Sequence, residues 1–514
     1  MPKAQKGSIN MKKKIISLML VTALAGGIAG CGGNNQSNTD EEVVITWKMP
    51  GPSGQADAEK VWAEFNKKLK EFEGLENVTV KFDVTDASDY SQKFLMSQTG
   101  GDDMDIIQTY TLKFVEEVRN GSFAPLDEYL DDELKETKEE LPEFIFKYGE
   151  VDGQIYGITN YQMCPNMYAL NIDKELADKY LDINAVKELL AKPEFDEKIF
   201  DVLEPLLAGA QANGELGKGF NPHCSYMFAS RLYDNIRNMF CIETYGDDNE
   251  VKMFFETPEN KKVYDRMHDW FQKGYIRKDV LSVDNLTKQN GIEGGHIMWI
   301  ANNYKGQDVV ETKDGKERYV LYLSPNPLVP MNNAAGAIAI SANSKHKEIA
   351  AKIINLMNCE RGKDLYNLLV WGLEGEHYTK TGEDRIETIG YTGQGTSSAP
   401  YGLWKWVVGN TENAYMTQSD SEDYKEFVFD RFNEGEDTLV SRAIGFYPDL
   451  TDYQSQLAQL SSVDGEYTKP LMYGAVENYE TVYAEFMDKI KKCNSDEIRD
   501  EIQRQLDEFM AAQK

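Results

Sequence analysis

From Val43 onward the apolar positions switch between two spacings, one of two residues and one of 3.6. "VVITW" (Val43 to Trp47) is a short β-rich run closed by the breaker cluster "GPSG". In "DAEKVWAEFNKKLKEF", Val61, Phe65, Leu69 and Phe72 share one helical face, with Lys and Glu elsewhere. "VTVKFDV" (Val78 to Val84) alternates as a strand does. "SDYSQKFLMSQTGG" has the spacing of a helix with a glycine stop. "MDIIQTY" (Met104 to Tyr110) is another short apolar strand, and "LKFVEEVRNG" another helix. Strand, helix, strand, helix, strand predicts a parallel sheet with crossover helices, and so an α/β fold. Such sheets bind ligands at the carboxyl ends of their strands. Trp47, Thr109 and Tyr110 fall at such ends.

Further on, Asp152-Gly153 is a turn signal with strands expected on either side. Residues 174–200 are helical and charged, and "KKVYDRMHDWFQKGYI" is amphipathic. "HIMWIANNY" (His296 to Tyr304) and "AAGAIAISANS" have strand character. "KHKEIAAKIINLMNCERG" predicts a helix with Ile349, Ile353, Leu356 and Met357 inward and Asn343 or Ser344 as its N-cap. The tail predicts a helix with Ile498, Ile502, Leu506 and Phe509 on one stripe. There is no internal repeat.

The first 42 residues follow a different pattern. Lys12, Lys13 and Lys14 precede an apolar run from Ile15 to Ile28, which suits a signal-peptide core and falls short of the ~20 residues that span a bilayer. Ile28-Ala29-Gly30-Cys31 resembles a bacterial lipobox, which implies cleavage before Cys31 and acylation of its thiol; the competing reading is a plain secretory signal with an incidental cysteine. "GGNNQSNTDEE" then has no apolar residue before Val43 and reads as a flexible tether.

Composition narrows the function classes. A chain of 514 residues holds two or three domains. The net charge of −31, from 86 acids against 55 bases, argues against nucleic acid as a partner, because phosphate contacts need Lys and Arg. The cysteines Cys31, Cys164, Cys224, Cys241, Cys359 and Cys493 form no C-x-x-C pair, so zinc and thioredoxin-type readings fail; all but Cys31 read as buried thiols, and a Cys224–Cys241 pair stays open. There is no H-E-x-x-H, G-x-S-x-G or P-loop, and the five histidines lack metal spacing. "YGDDNE" lacks the loop of an EF-hand. No cofactor or metal is expected. So many acids make some glycosidase-like carboxylate pair inevitable, and therefore uninformative.

The order of segments is similar to that of the family 1 extracellular solute-binding proteins of bacterial ABC importers, and more narrowly to the lipoprotein subgroup with a DUF3502-like C-terminal domain. The stretches that carry the resemblance include "GSFAPLDEYL", "VDGQIYGITN", "NIDKELADKY", "FFETPENKKVYDRMHDWFQKGYIRKD", "LLVWGLEGEHY" and "AIGFYPDLTDYQSQLAQLSSVDGEYTKPL"; Phe220 to Asp248 departs from it. The resemblance implies a type II, Venus-flytrap fold of two α/β lobes. It divides the chain into a signal peptide (1–30), a tether (31–42), an N-terminal lobe (43–159 and 325–370), a C-terminal lobe (160–324 and 371–444) and a helical C-terminal subdomain (445–514). Hinge crossings would fall near Ile158 to Met163 and near Ser324 to Pro330, where Pro325, Pro327 and Pro330 stiffen the chain. It also implies a monomer, lipid-anchored on the outer face of a Gram-positive cell, that hands a solute to the transmembrane subunits of a permease.

Ligands in this family are often oligosaccharides. Their CH faces stack on aromatic rings and their hydroxyls need convergent polar groups. Tyr401, Trp404 and Trp406 in "YGLWKWVVGN" are the most concentrated aromatic candidates, with core packing as the alternative; the two tryptophans would share a face on a strand and not on a helix. Trp47 qualifies by its strand end. Trp299 and Trp371 qualify because relatives have cleft aromatics there, whereas Trp62 and Trp270 read as core. Tyr110, Asn160, Tyr161, Asn302 and Asn303 are polar candidates at strand ends or near the hinge, with Glu374 and Arg231 as further ones. The expected function is capture of an oligosaccharide for an ABC importer, without chemistry of its own. The alternatives are a peptide or other organic solute, a cell-surface glycan-acting enzyme, or an adhesin.

Overall fold

The computed structural model describes residues 42–513 apart from 224, 284–296, 303–307, 313–314, 333–335 and 391–397. Cys31, the signal-like segment and most of the tether lie outside the described residues. Two sheets organise the chain. Their strands are, in chain order, β1 (Val43–Pro50), β2 (Val78–Thr85), β3 (Ile106–Gln108), β4 (Ile158–Thr159), β5 (Tyr168–Asp173), β6 (Met298–Asn302), β7 (Val309–Glu311), β8 (Glu317–Tyr322) and β9 (Ala337–Ile340). The first sheet has the order β2-β1-β3-β9-β4 and the second β6-β5-β8-β7.

In the first sheet β1 runs parallel to β2 and β3, pairing Trp47 with both Phe82 and Ile106, and β9 runs antiparallel to β3 and β4. Helices α1 (Ala58–Leu69) and α2 (Ala87–Gly100) make the crossovers that the alternating pattern predicts. α1 buries Val61, Phe65 and Leu69 but ends there, so Phe72 packs on the core from a turn. The second sheet is wholly antiparallel. The charged stretch 174–200 is not one helix: it breaks into Lys174–Tyr180, Ile183–Leu190 and the start of Lys198–Ala212, each of the first two capped by an Asp side chain. Helix Lys347–Asn358 starts two or three residues later than Ser344 or Asn343 as N-cap implies: His346 is the cap, and Ser344 serves it by accepting the His346 N–H while donating to Asp105.

Each lobe has its own core. One gathers Ile45, Trp47, Phe65, Ile106, Ile354 and Val407, the other Leu170, Ile172, Trp270, Met298, Leu471 and Ile502. The chain leaves the first sheet after Thr159 and enters the second at Tyr168; it returns between Tyr322 and Ala337. The two crossing segments bridge each other at Asn166 and Leu328. Trp371 to Phe432 were expected in the second lobe, yet Trp371, Tyr378, Ile386, Tyr401, Phe427 and Phe432 all pack in the first core. The apolar face of helix Lys363–Trp371 lies against α1, and the segment after it stays on that core. The second lobe is reached only by a third crossing, where Leu439 and Ser441 donate their N–H groups to Pro327 and Val329. Ala443 and Phe446 are already in the second core, which the last three helices complete. Among the described residues no helix is long and apolar enough to cross a membrane.

Candidate functional site

At the carboxyl end of β3 the backbone turns sharply. Tyr110 N–H donates to the Gln108 side chain, Thr111 takes a φ of +70°, and Thr109 exchanges two 2.8 Å hydrogen bonds with Ala337. Gly336, just before β9, has a φ of +81°, and a Cβ there would come within 2.8 Å of Tyr110 N; only glycine lets the hinge segment pass so close. The turn projects the Tyr110 ring edge-on toward Trp406, with centroids 4.6 Å apart. Trp406 in turn stacks on Trp404, at 5.3 Å and 8° between planes. All three rings are half-buried. Sequence spacing allowed a shared face for the two tryptophans only on a strand. The structure achieves it at a change of backbone: Trp404 is extended (φ −69°, ψ 116°) and caps the one-turn helix Lys405–Val408.

This ledge is braced from behind. Tyr401 Oη donates to Leu369 O at 2.7 Å, Tyr366 Oη to Lys405 O at 2.8 Å, and Leu403 N–H to Val370 O at 3.0 Å. The Asn160 amide donates to Trp406 O. Lys405 turns inward, its ammonium 5.1 Å from the Tyr424 ring centre, and burial lowers its pKa. The result is a half-buried aromatic cluster braced by hydrogen bonds from buried side chains.

The other expected contacts lie elsewhere. β1 runs on to Pro50, so Trp47 sits in mid-strand, fully buried against Phe82. Tyr401 and Trp371 are buried in the first core. Asn160 is fully buried and acts on Trp406 from below. Tyr161 is also buried, its ring against Phe429 and its hydroxyl 2.7 Å from Glu434. All five are buried, and of them Asn160 and Tyr401 brace the ledge from behind. Trp299 lies in mid-strand in the second sheet, with the Arg318 guanidinium 5.6 Å from its ring. Glu374 is exposed in the turn before Tyr378. Arg231 is buried and binds the carbonyls of Lys192 and Glu194. Asn303 and the side chain of Asn302 lie outside the described residues.

The second lobe contributes a groove of about 520 Å³ beside the hinge. Asn166, Tyr168, Tyr226, Asn235, Met239 and Asn332 line its rim. Asn332 is four residues from Gly336, so at ~3.5 Å per residue the groove rim lies within about 14 Å of the Tyr110 ledge. Asn332 of the groove and Gly336 beside the ledge thus belong to one crossing segment. Sequence reading missed the groove residues. Tyr226, Asn235 and Met239 fall in the stretch without resemblance; the two tyrosines and Asn235 of "SYMFASRLYDN" are the only signal for the first two, and none marks Met239. A larger hollow of about 810 Å³, between Arg119, Lys147 and the C-terminal helix, is walled by several charged side chains, among them Glu143, Glu150, Asp449 and Glu508, and is less suited to an uncharged solute.

Aromatic rings and amide side chains can hold a polyhydroxylated ring. His377, whose ring lies 5.8 Å from that of Tyr401, is buried with both ring nitrogens committed: Nδ1 accepts from Leu373 N–H, which leaves Nε2 to donate to Asp57. Among the described residues no group of three or more His, Cys, Asp or Glu could hold a metal ion.

Comparison with known proteins agrees with this architecture. Residues 442–511 match a domain of unknown function (DUF3502). A carbohydrate ABC transporter substrate-binding protein from Streptococcus pneumoniae serotype 4 is 24% identical over 98% of this chain and 100% of its own. The polygalacturonan/rhamnogalacturonan-binding protein YtcQ of Bacillus subtilis is 23% identical, over 73% and 76%. The crystal structure of the N-glycan transport solute binding protein NgtS from Streptococcus pneumoniae superposes with a TM-score of 0.72 at 20% identity, over 92% of this chain and 100% of that one. Residues 60–363, more than half of the sequence, match the bacterial extracellular solute-binding proteins, and the chain belongs to that family.

Proposed function

We propose that the chain is the lipid-anchored solute-binding subunit of an ABC importer that captures an oligosaccharide between its lobes and delivers it to a membrane permease. The stacked Trp404–Trp406 pair with Tyr110 carries this reading, because a half-buried aromatic cluster offers ring surface to the CH face of a sugar unit. The carbohydrate ligands named for the relatives support it. Capture works by differential affinity: a solute that touches ledge and groove together favours the closed lobes and is held by them. The chain acts as a monomer without catalysis, tethered through acylated Cys31.

Titration of tryptophan fluorescence with neutral oligosaccharides, uronate oligomers and short peptides tests the ligand class. Saturable quenching or enhancement by a glycan is expected. Binding of peptides without glycans overturns the sugar assignment, and shortened glycans after long incubation overturn binding without catalysis. Cys31→Ser tests the anchor: the protein should leave the membrane fraction, and retention there rejects acylation at Cys31.

A further inference from the structure

The groove wall carrying Asn235 and Met239 is a β-hairpin, Tyr233–Arg237 paired antiparallel with Phe240–Glu243. Its root is fastened to the second hinge crossing. Asp234 accepts the Met331 N–H with both carboxylate oxygens, at 3.0 and 3.2 Å, and the Asn332 amide donates to the carbonyls of Asn235 and Ile236. Its tip reaches the other lobe: the Arg237 guanidinium lies 3.3 Å from the carboxylate of Glu116 in α3 (Phe114–Arg119), the helix that follows the Tyr110 turn. The tip is also strained. Asn238 and Met239 both have positive φ, +48° and +69°, the signature of a two-residue I′ turn in which the second position is normally glycine. A side chain in that conformation persists where its surroundings hold it, and such strain gathers at binding sites.

We infer that Arg237 is a positioning residue for ligand binding: through Glu116 it clamps the hairpin that walls the groove against the lobe that bears the aromatic ledge. The inference rests on the oligosaccharide-capture reading and adds how the two halves of the cleft are held in register. The hairpin is braced at both ends, so movement of α3 relative to the hinge moves Asn235 and Met239 with it. Lys113 sits 3.0 Å from Glu116 as well, so replacing Arg237 leaves that carboxylate paired and the fold intact. Both partners of the pair are a third or more exposed, so the clamp weakens in salt.

The test uses Arg237→Gln, Glu116→Gln, the double variant and Arg237→Lys in the full chain. Ligand-free protein is read first by hydrogen exchange over residues 233–243, which needs no solute. Faster exchange at the tip in both single variants, with no further increase in the double, is expected. The Kd for whichever glycan the wild type binds should rise about twofold to fivefold in each single variant, without adding in the double. The salt dependence of Kd should flatten, and Arg237→Lys should restore part of it. Unchanged exchange together with unchanged Kd overturns the clamp, as do fully additive effects. A wild type that binds no glycan but shows the exchange pattern rejects only the sugar reading.

Discussion

Asp234, at the root of the groove hairpin, is a buried carboxylate. Burial pushes its carboxyl up to about 6, against the pull of the Ser441 hydroxyl, the Met331 N–H and the Arg442 guanidinium on the third crossing; Cys241 and Tyr148, the other titratable neighbours, stay protonated in this range. An unfolded aspartate titrates near ~3.9. The folded chain therefore holds this proton more tightly. The resulting stabilisation is fully present below pH ~4, is lost as pH rises through about 6, and amounts to roughly 2–3 kcal/mol. Asp234→Asn stays neutral and keeps one acceptor for Met331. Its stability relative to wild type should climb between pH 4 and 6.5 and then level off; urea melts that run parallel across that range refute the assignment. The tryptophans make a second contrast. Trp47→Ala should cost about 3–5 kcal/mol in urea unfolding, as for other large core residues. Trp406→Ala should leave most of the stability and weaken glycan binding at least tenfold; equal losses in both assays would contradict the division. Both residues were candidates by composition and position along the chain. What separates them is three further residues of β1, which carry Trp47 from a strand end into mid-sheet, and apolar spacing does not register where a strand stops pairing.

At the scale of elements, periodicity read the first sheet well and the cleft poorly, for a physical reason. Strands and helices that face a core must repeat at 2 or 3.6 residues, so β1, β2, α1 and the C-terminal stripe of Ile498, Ile502 and Leu506 were legible. The segments that border the ligand obey no period. They are turns, hinge crossings and a one-turn helix, whose form comes from contacts made hundreds of positions away, such as Asn160 with Trp406 or Tyr110 with Gly336. Gly336 tests this dependence. Gly336→Ala places a side chain at positive φ, at a cost of about 1–2 kcal/mol, and forces the Tyr110 backbone to move. Glycan affinity should fall along with thermal stability, because the ledge loses the ring that meets Trp406. A variant with lowered melting temperature and unchanged affinity would separate Tyr110 from the site.

At the scale of the whole molecule, the third crossing alters what the C-terminal region is. A helical appendage laid on two finished lobes could be removed at small cost. Instead the last helix, Ser495–Ala512, inserts Ile498, Ile502 and Leu506 into the second core with no exposure at all. It also ties two loops into place: Gln503 and Gln505 accept the N–H groups of Val251 and Asp449, both at 2.7 Å. Just upstream, Tyr447 links the lobes by donating to Tyr148 O at 2.8 Å and accepting from Arg119 at 3.0 Å. Burying one large aliphatic side chain is worth about 1.5–3 kcal/mol, so losing three removes roughly 5 kcal/mol or more from the second lobe alone. That is comparable to the whole stability of a typical domain. The first core contains none of these side chains and should survive their loss. Truncation after Asn494 should therefore split unfolding into two stages in calorimetry, with the second lobe melting first and the first lobe near its original temperature. Tryptophan fluorescence should sort the stages by lobe, since Trp270 reports the second core while Trp47 and Trp371 report the first. A truncated chain that melts in one step at the full-length temperature would mean that the last helix is an accessory, and that the second core closes without it.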